Sequence, residues 1–134
     1  MKRIHIVAGI ILSADQRSVY ITKRPDDKHK GGLWEFPGGK VESGETIAKA
    51  MARELEEEIG IQVTQQIPFE HFAFDYPDKS LTFDFITIID FSGEPYGREG
   101  QQGLWVEIDQ LDQFAFPEAN LPIVQRVMKE FRQI

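Results

Sequence analysis

RELEEEIG, residues 53–60, packs four glutamates into the last two turns of what reads as a helix. Leu55 and Ile59 stand four apart and Gly60 is a natural left-handed stop, so the stretch predicts a helix C-terminus. The negative pole of the helix dipole lies there, an end that favours Lys, Arg or His. Glu56, Glu57 and Glu58 occupy it instead, with Glu54 one turn back. Glu54 is three and four residues from Glu57 and Glu58, so these three carboxylates share one face. Each like-charged pair costs about 0.2–0.5 kcal/mol, and the dipole adds a comparable penalty per charge. Something outside the helix has to offset that cost.

Outward from this point, the helix extends back to about Glu45, with Ser43 as its expected N-cap. Ala48, Met51, Ala52, Leu55 and Ile59 form the expected buried stripe, which turns the acidic face elsewhere. Residues 4–13 and 18–24 read as two strands joined around Asp15 and Gln16, followed by the polar loop PDDKHKGG. Leu33 to Phe36 is a short apolar stretch running into Pro37, Gly38 and Gly39. Residues 61–75 and 80–92 are long strands flanking YPDKS, and residues 102–108 are another. DQLDQF reads as one helical turn, AFPEAN as a loop, and Leu121 to Arg132 as a closing amphipathic helix. Strands that come both as hairpins and around a central helix predict a mixed sheet packed by helices, an α/β or α+β architecture.

The chain has 134 residues, enough for one domain with a sizeable core, expected to span residues 1–134. It has no cysteine, which excludes a disulfide framework and a thiolate site. Twenty-two acids against 15 bases give a net charge of −7, against a nucleic-acid polymer as partner. A small phosphate ligand delivered with a divalent cation is compatible with that charge. The start, MKRIHIVAGIILSAD, has neither a convincing cleavage site nor 18 apolar residues in a row, so the expectation is a cytoplasmic protein without a membrane partner.

Residues 39–61, GKVESGETIAKAMARELEEEIGI, fit G-x5-E-x7-R-E-U-x-E-E-x-G-U, with U aliphatic, at every fixed position. A chance match at a given start is on the order of one in a billion at average residue frequencies. The pattern resembles the Nudix box, the signature of hydrolases that cleave nucleoside diphosphates linked to another group. The residues agree on chemical grounds: hard divalent cations take oxygen ligands, usually one or two carboxylates plus substrate phosphates. Glu54, Glu57 and Glu58 supply such oxygens, and a bound cation removes their repulsion. As a bare run, EEE would be a solvated acidic face; Arg53 is either the cation that orients these glutamates or an ordinary surface ion pair.

Nearly the whole chain is similar to the MutT family of 8-oxo-dGTP pyrophosphohydrolases, through AGIIL, ITKRPDDKH, LWEFPGGK, YPDKS, GEPYGREGQ and FPEAN. The resemblance implies an α/β/α sandwich, the Nudix fold, around a mixed sheet. It also implies attack of water at the β-phosphorus of a nucleoside triphosphate, with Mg²⁺ as cofactor, Mn²⁺ substituting, and a monomer as the active form. The Gly38 backbone oxygen with Glu54, Glu57, Glu58 and Glu99 would hold the cation. Glu54 or Glu99 would be the base, and Arg53 would serve the catalytic glutamates. Arg24, His29, Lys40 and Lys79 would contact the nucleotide or its phosphates. Glu35, Phe36, Pro37 and Tyr76 would border the base, Asp78 would accept from a base amino group, and Asn120 would read the base edge or cap the helix beginning near Leu121. His5 and His71 are assigned no function. Other substrates of the wider family (CTP, ADP-ribose, a dinucleoside polyphosphate) and a non-catalytic nucleotide-binding module are the alternatives.

Overall fold

The computed structural model describes residues 3–24 and 32–131. Its centre is β1 (Arg3–Leu12), where Val7, Ile10, Ile11 and Leu12 are all buried. A strand apolar on both sides needs a layer on each face, and parallel pairing is the usual setting. Residues 3–11 of β1 run parallel to residues 80–88 of β6 (Lys79–Ser92). β6 returns antiparallel from β5 (Gln62–Tyr76) through a tight turn with Tyr76 opposite Lys79. On its other edge β1 meets β2 (Ser18–Lys23) and, further down, β4 (Gly38–Lys40). β2 in turn carries β3 (Trp34–Glu35) and β7 (Gly103–Glu107). The sheet is mixed, as expected.

Alternation along β1 and β6 divides the apolar residues between two layers. Val7, Ile11, Ile86 and Ile88 pack with Ala50, Met51, Leu55 and Ile59 of α1 (Ile47–Ile59). Ala8, Ile10, Phe83 and Phe85 pack with Ile123, Val124 and Val127 of α2 (Leu121–Glu130) on the opposite face. The result is an α/β/α sandwich. No helix among the described residues is long and apolar enough to cross a membrane.

Several boundaries differ from expectation, each for a local reason. α1 is capped by Thr46, whose hydroxyl accepts from the Lys49 N–H, and Ser43 lies in the preceding turn. Glu45 cannot open the helix because its carboxylate is drawn to the Glu42 N–H and to Arg53. Ala48 is exposed and Ala52 half-buried; Ala50 takes the expected place on the buried stripe. The Gly-Gly pair, given no element from the sequence, opens the strand β4, held by pairing to β1 despite the poor strand propensity of glycine. DQLDQF lies, apart from its last residue Phe114, within a 3₁₀ segment (Ile108–Gln113), and AFPEAN ends in a second one (Glu118–Asn120). The far end of the expected closing helix, Arg132, lies outside the described residues.

Gly60 ends α1 at φ 73°, and a Cβ there would lie 2.6 Å from Cε1 of Tyr96. Gly44 has a similar φ of 82° with open space around it. Gly44→Ala should therefore show only the left-handed backbone cost, about 1–2 kcal/mol. Gly60→Ala should lose more than this in equilibrium urea unfolding, and equal losses would show that Tyr96 swings aside without cost.

Candidate active site

α1, β4 and the loop 93–102 converge at one end of the sheet. β4 offers bare backbone there: a Cβ on Gly38 would lie 1.9 Å from the Val7 carbonyl oxygen, and one on Gly39 2.2 Å from Glu54 Oε2. The Gly38 N–H donates to Glu58 Oε2 at 3.1 Å. Two carboxylates of α1 thus rest directly on a strand without side chains. The sequence placed the acidic face away from the buried side of α1, but Glu58 is only 7% exposed. Glu58 stands three residues after Leu55 and next to Ile59, on the edge of the buried stripe, where the Gly38 N–H meets its carboxylate.

Arg53 is the hub of the cluster. Its guanidinium clasps Glu45 through Nε and Nη2, donates from Nη2 to the Lys40 carbonyl at 3.0 Å, and from Nη1 reaches Glu54 at 2.9 Å and Glu57 at 3.2 Å. With a quarter of its side chain exposed, it is far from a solvated surface pair. The Arg53 hydrogen bonds hold the Glu45 carboxyl well down, to about 2. Burial raises Glu54 above the usual carboxylate range, with Arg53 opposing. Burial, followed by the charge of Glu35, pushes Glu58 up to about 8, and the Gly38 bond only partly opposes it. The charge of Glu99 raises both Glu54 and Glu58, so Glu99, exposed in its loop, belongs electrostatically to the same cluster. Glu57 is the exposed member, with 54% of its side chain accessible. Among the described residues no three metal-ligating side chains are already converged on one point; Arg53 spans Glu54 and Glu57.

A cleft of about 240 Å³ opens beside β4 on the α2 face. Of the residues expected at a nucleotide, Arg24, Glu35, Phe36, Gly38, Lys40, Tyr76, Lys79 and Asn120 line it. Arg24 is paired with Glu35 at 3.0 Å. Phe36, 2% exposed, is as much core as wall, packed on Phe85 and Phe116. Tyr76 is also structural: its phenolic oxygen accepts from the Ala119 N–H at 3.0 Å, fixing the turn that carries Asn120. Asn120 is 6% exposed and stands first before α2, yet its side chain makes no capping bond. Pro37 and Asp78 do not line the cleft. Pro37 is buried and gives its carbonyl to the Gly9 N–H at 2.8 Å, while Asp78 sits in the β5–β6 turn. His29 lies outside the described residues. The sequence reading overlooked the apolar walls, Ile4, Ile6, Leu81 and Phe83, although the alternation of β1 and β6 carried that signal.

The state of Glu58 has a consequence for stability. Its carboxyl titrates near 8 in the folded chain and near 4.5 when unfolded, so between those values the folded state holds an extra proton. The stabilisation is complete below the unfolded value and is lost as pH rises through about 8. With chelator present, the thermal midpoint should fall from pH 6 to about pH 8.5 on this account. Glu58→Gln should flatten that decline and raise the midpoint at its alkaline end. An equally steep decline in Glu58→Gln would assign it to another group.

A model of the NUDIX domain matches residues 7–126. An 8-oxo-dGTP diphosphatase of Haemophilus influenzae is 44% identical over 129 residues, 96% of this chain and 94% of that protein. The CTP pyrophosphohydrolase of Escherichia coli is 30% identical over 96% of this chain and 93% of that protein. A solved structure from work on MutT of Aliivibrio salmonicida and Vibrio cholerae superposes with a TM-score of 0.89 at 60% identity, covering 96% of this chain and 99% of that one. The complete glutamate pattern on α1, its seat on β4 and these likenesses lead to one assignment: the chain belongs to the NUDIX domain family.

Proposed function

We propose that this chain hydrolyses 8-oxo-dGTP to 8-oxo-dGMP and pyrophosphate, removing oxidised guanine from the nucleotide pool. The observation that carries the reading is Asn120, a buried amide on the cleft wall that does not cap its helix. Guanine shows two acceptors, O6 and N7, along one edge. Oxidation at C8 puts a proton on N7, and the edge becomes acceptor and donor. An amide offers one donor and one acceptor, matching the oxidised edge at both atoms. Against normal guanine its carbonyl would face a lone pair, at a cost of about 1–3 kcal/mol. That is about 5- to 150-fold in preference.

The phosphates would extend from the base across Lys40 and Gly38 toward α1. Arg24 and Lys79, cations on the cleft wall, suit the sugar-phosphate end. The donor set fits a hard divalent cation, Mg²⁺ with Mn²⁺ as substitute: Glu54, Glu57 and Glu58 with the Gly38 carbonyl would hold it. When bound, such an ion neutralises phosphate oxygens and lowers the pKa of water. Arg53 keeps Glu54 and Glu57 oriented and already occupies one oxygen of Glu54. Glu99, exposed and adjacent, is the better placed of the two candidate bases to take the proton from the attacking water. The active form proposed is a monomer.

With Mg²⁺ present, a panel of oxidised and normal nucleoside triphosphates should give fastest turnover on 8-oxo-dGTP, with pyrophosphate and monophosphate as products. Release of orthophosphate alone would overturn the reaction, and CTP as best substrate would overturn the base assignment. Glu54→Gln and Glu58→Gln should each nearly abolish turnover while leaving the protein folded by circular dichroism. Asn120→Asp and Asn120→Ser both keep a residue suited to the position before a helix but remove the amide. Base reading by Asn120 predicts that the preference for 8-oxo-dGTP over dGTP largely collapses in both, and an unchanged ratio would leave Asn120 with no role in selection.

A further inference from the structure

An α-helix leaves its last carbonyls without partners. At the end of α1 the loop 93–102 supplies them. The Tyr96 N–H donates to the Ile59 carbonyl at 3.1 Å, the Arg98 N–H to Glu58 at 3.0 Å, and the Arg98 guanidinium to Glu56 at 2.8 Å. The loop folds tightly back on itself: the Gly100 N–H bonds to the Gly97 carbonyl, and a Cβ on Gly97 would lie 1.8 Å from the Gln101 carbonyl oxygen. These contacts dock the segment as a whole.

The side chain of Gln101 makes a different kind of link. Its Nε2 donates to the Glu58 carbonyl at 3.1 Å, and its Oε1 accepts from the Glu99 N–H at 3.0 Å. One planar amide thereby joins the main chain of a cation ligand to the main chain of the base. An amide has both functions on a rigid fork, so it fixes spacing and direction together. A hydroxyl donates and accepts only through a single rotating oxygen, and an aliphatic side chain does neither.

We infer that Gln101 is a positioning residue for the hydrolysis: its amide sets the Glu99 carboxylate against Glu58, an inference that rests on the role proposed above for Glu99. Gln101 touches neither the cleft wall nor the carboxylates themselves. Its effect is confined to the orientation of Glu99, because the Tyr96 and Arg98 bonds keep the loop docked without it. A misplacement of about 1 Å in a reacting group can cost up to 100-fold in rate. Orientation of a base matters in the transition state more than in substrate binding, so the loss belongs to kcat.

Gln101→Met, close in size but without donor or acceptor, is compared with Glu99→Gln and with the double variant, using 8-oxo-dGTP and Mg²⁺. The expected result is a fall in kcat of about tenfold or more for Gln101→Met, with KM within about twofold and the thermal midpoint little changed. In the Glu99→Gln background the same substitution should change kcat by less than about twofold, since the group it orients is gone. A slow Glu99→Gln beside a Gln101→Met with unaltered kcat overturns the inference alone. Multiplicative losses in the double variant also overturn it, by assigning Gln101 an independent effect. If Glu99→Gln keeps its full kcat, the role of Glu99 fails first and the inference falls with it. Gln101 is half-buried, so Gln101→Ala leaves no sealed cavity and serves if the Met variant is unstable. Unfolding of both would make Gln101 a fold residue and overturn the positioning role.

Discussion

The close approach of α1 to β4 depends on two residues without side chains. Gly38 lies so near the Val7 carbonyl, and Gly39 so near the Glu54 carboxylate, that a methyl group at either would displace backbone or ligand. That contact fixes the height of the helix above the sheet. It lets Glu58 reach a main-chain N–H, lets Arg53 reach the Lys40 carbonyl, and leaves the cleft open along the same strand. A strand of higher propensity would press side chains into the β1 backbone at position 38 and into the Glu54 carboxylate at position 39.

The cluster of acids answers its own repulsion in three ways that act at different depths. Arg53 is shared among Glu45, Glu54 and Glu57. Burial keeps Glu58 neutral in the absence of a cation at ordinary pH. The unfavourable end of the helix dipole is met by the loop 93–102, which covers the terminal carbonyls with N–H groups. The metal-free chain is therefore folded and poised rather than frustrated, and a cation would compete with a guanidinium and a proton for its oxygens. Sites of perturbed titration commonly mark function because such competition is what a reaction uses.

The long strands and both helices were legible because their periodicities extend over ten or more residues, whereas the α/β/α sandwich followed from the family resemblance. The glutamates on α1 were legible from spacing alone. β4 was not, since glycine carries no strand signal and its pairing partner lies some thirty residues away in β1. Nor could spacing show that Tyr76 serves the Asn120 turn as a hydrogen-bond acceptor, or that Gln101 bridges two backbones; both links join residues distant in sequence. The burial of Glu58 was missed because an acid beside an apolar stripe is ordinarily assigned to solvent.

The sheet also acts as a partition. Phe36 on the cleft wall belongs to the α2 layer, whereas the carboxylates and Arg53 ride on the α1 layer. β1 and β6 send alternate side chains into both layers, and β4 lies between the cleft and the carboxylates. Where changes in the two layers share no partner, their energetic effects should combine nearly independently. Under the proposed function, such a molecule could exchange one base for another by repacking a single layer while its phosphate chemistry stays untouched. Divergence in what is recognised and constancy in what is done to it are then separate properties, carried on opposite faces of one sheet.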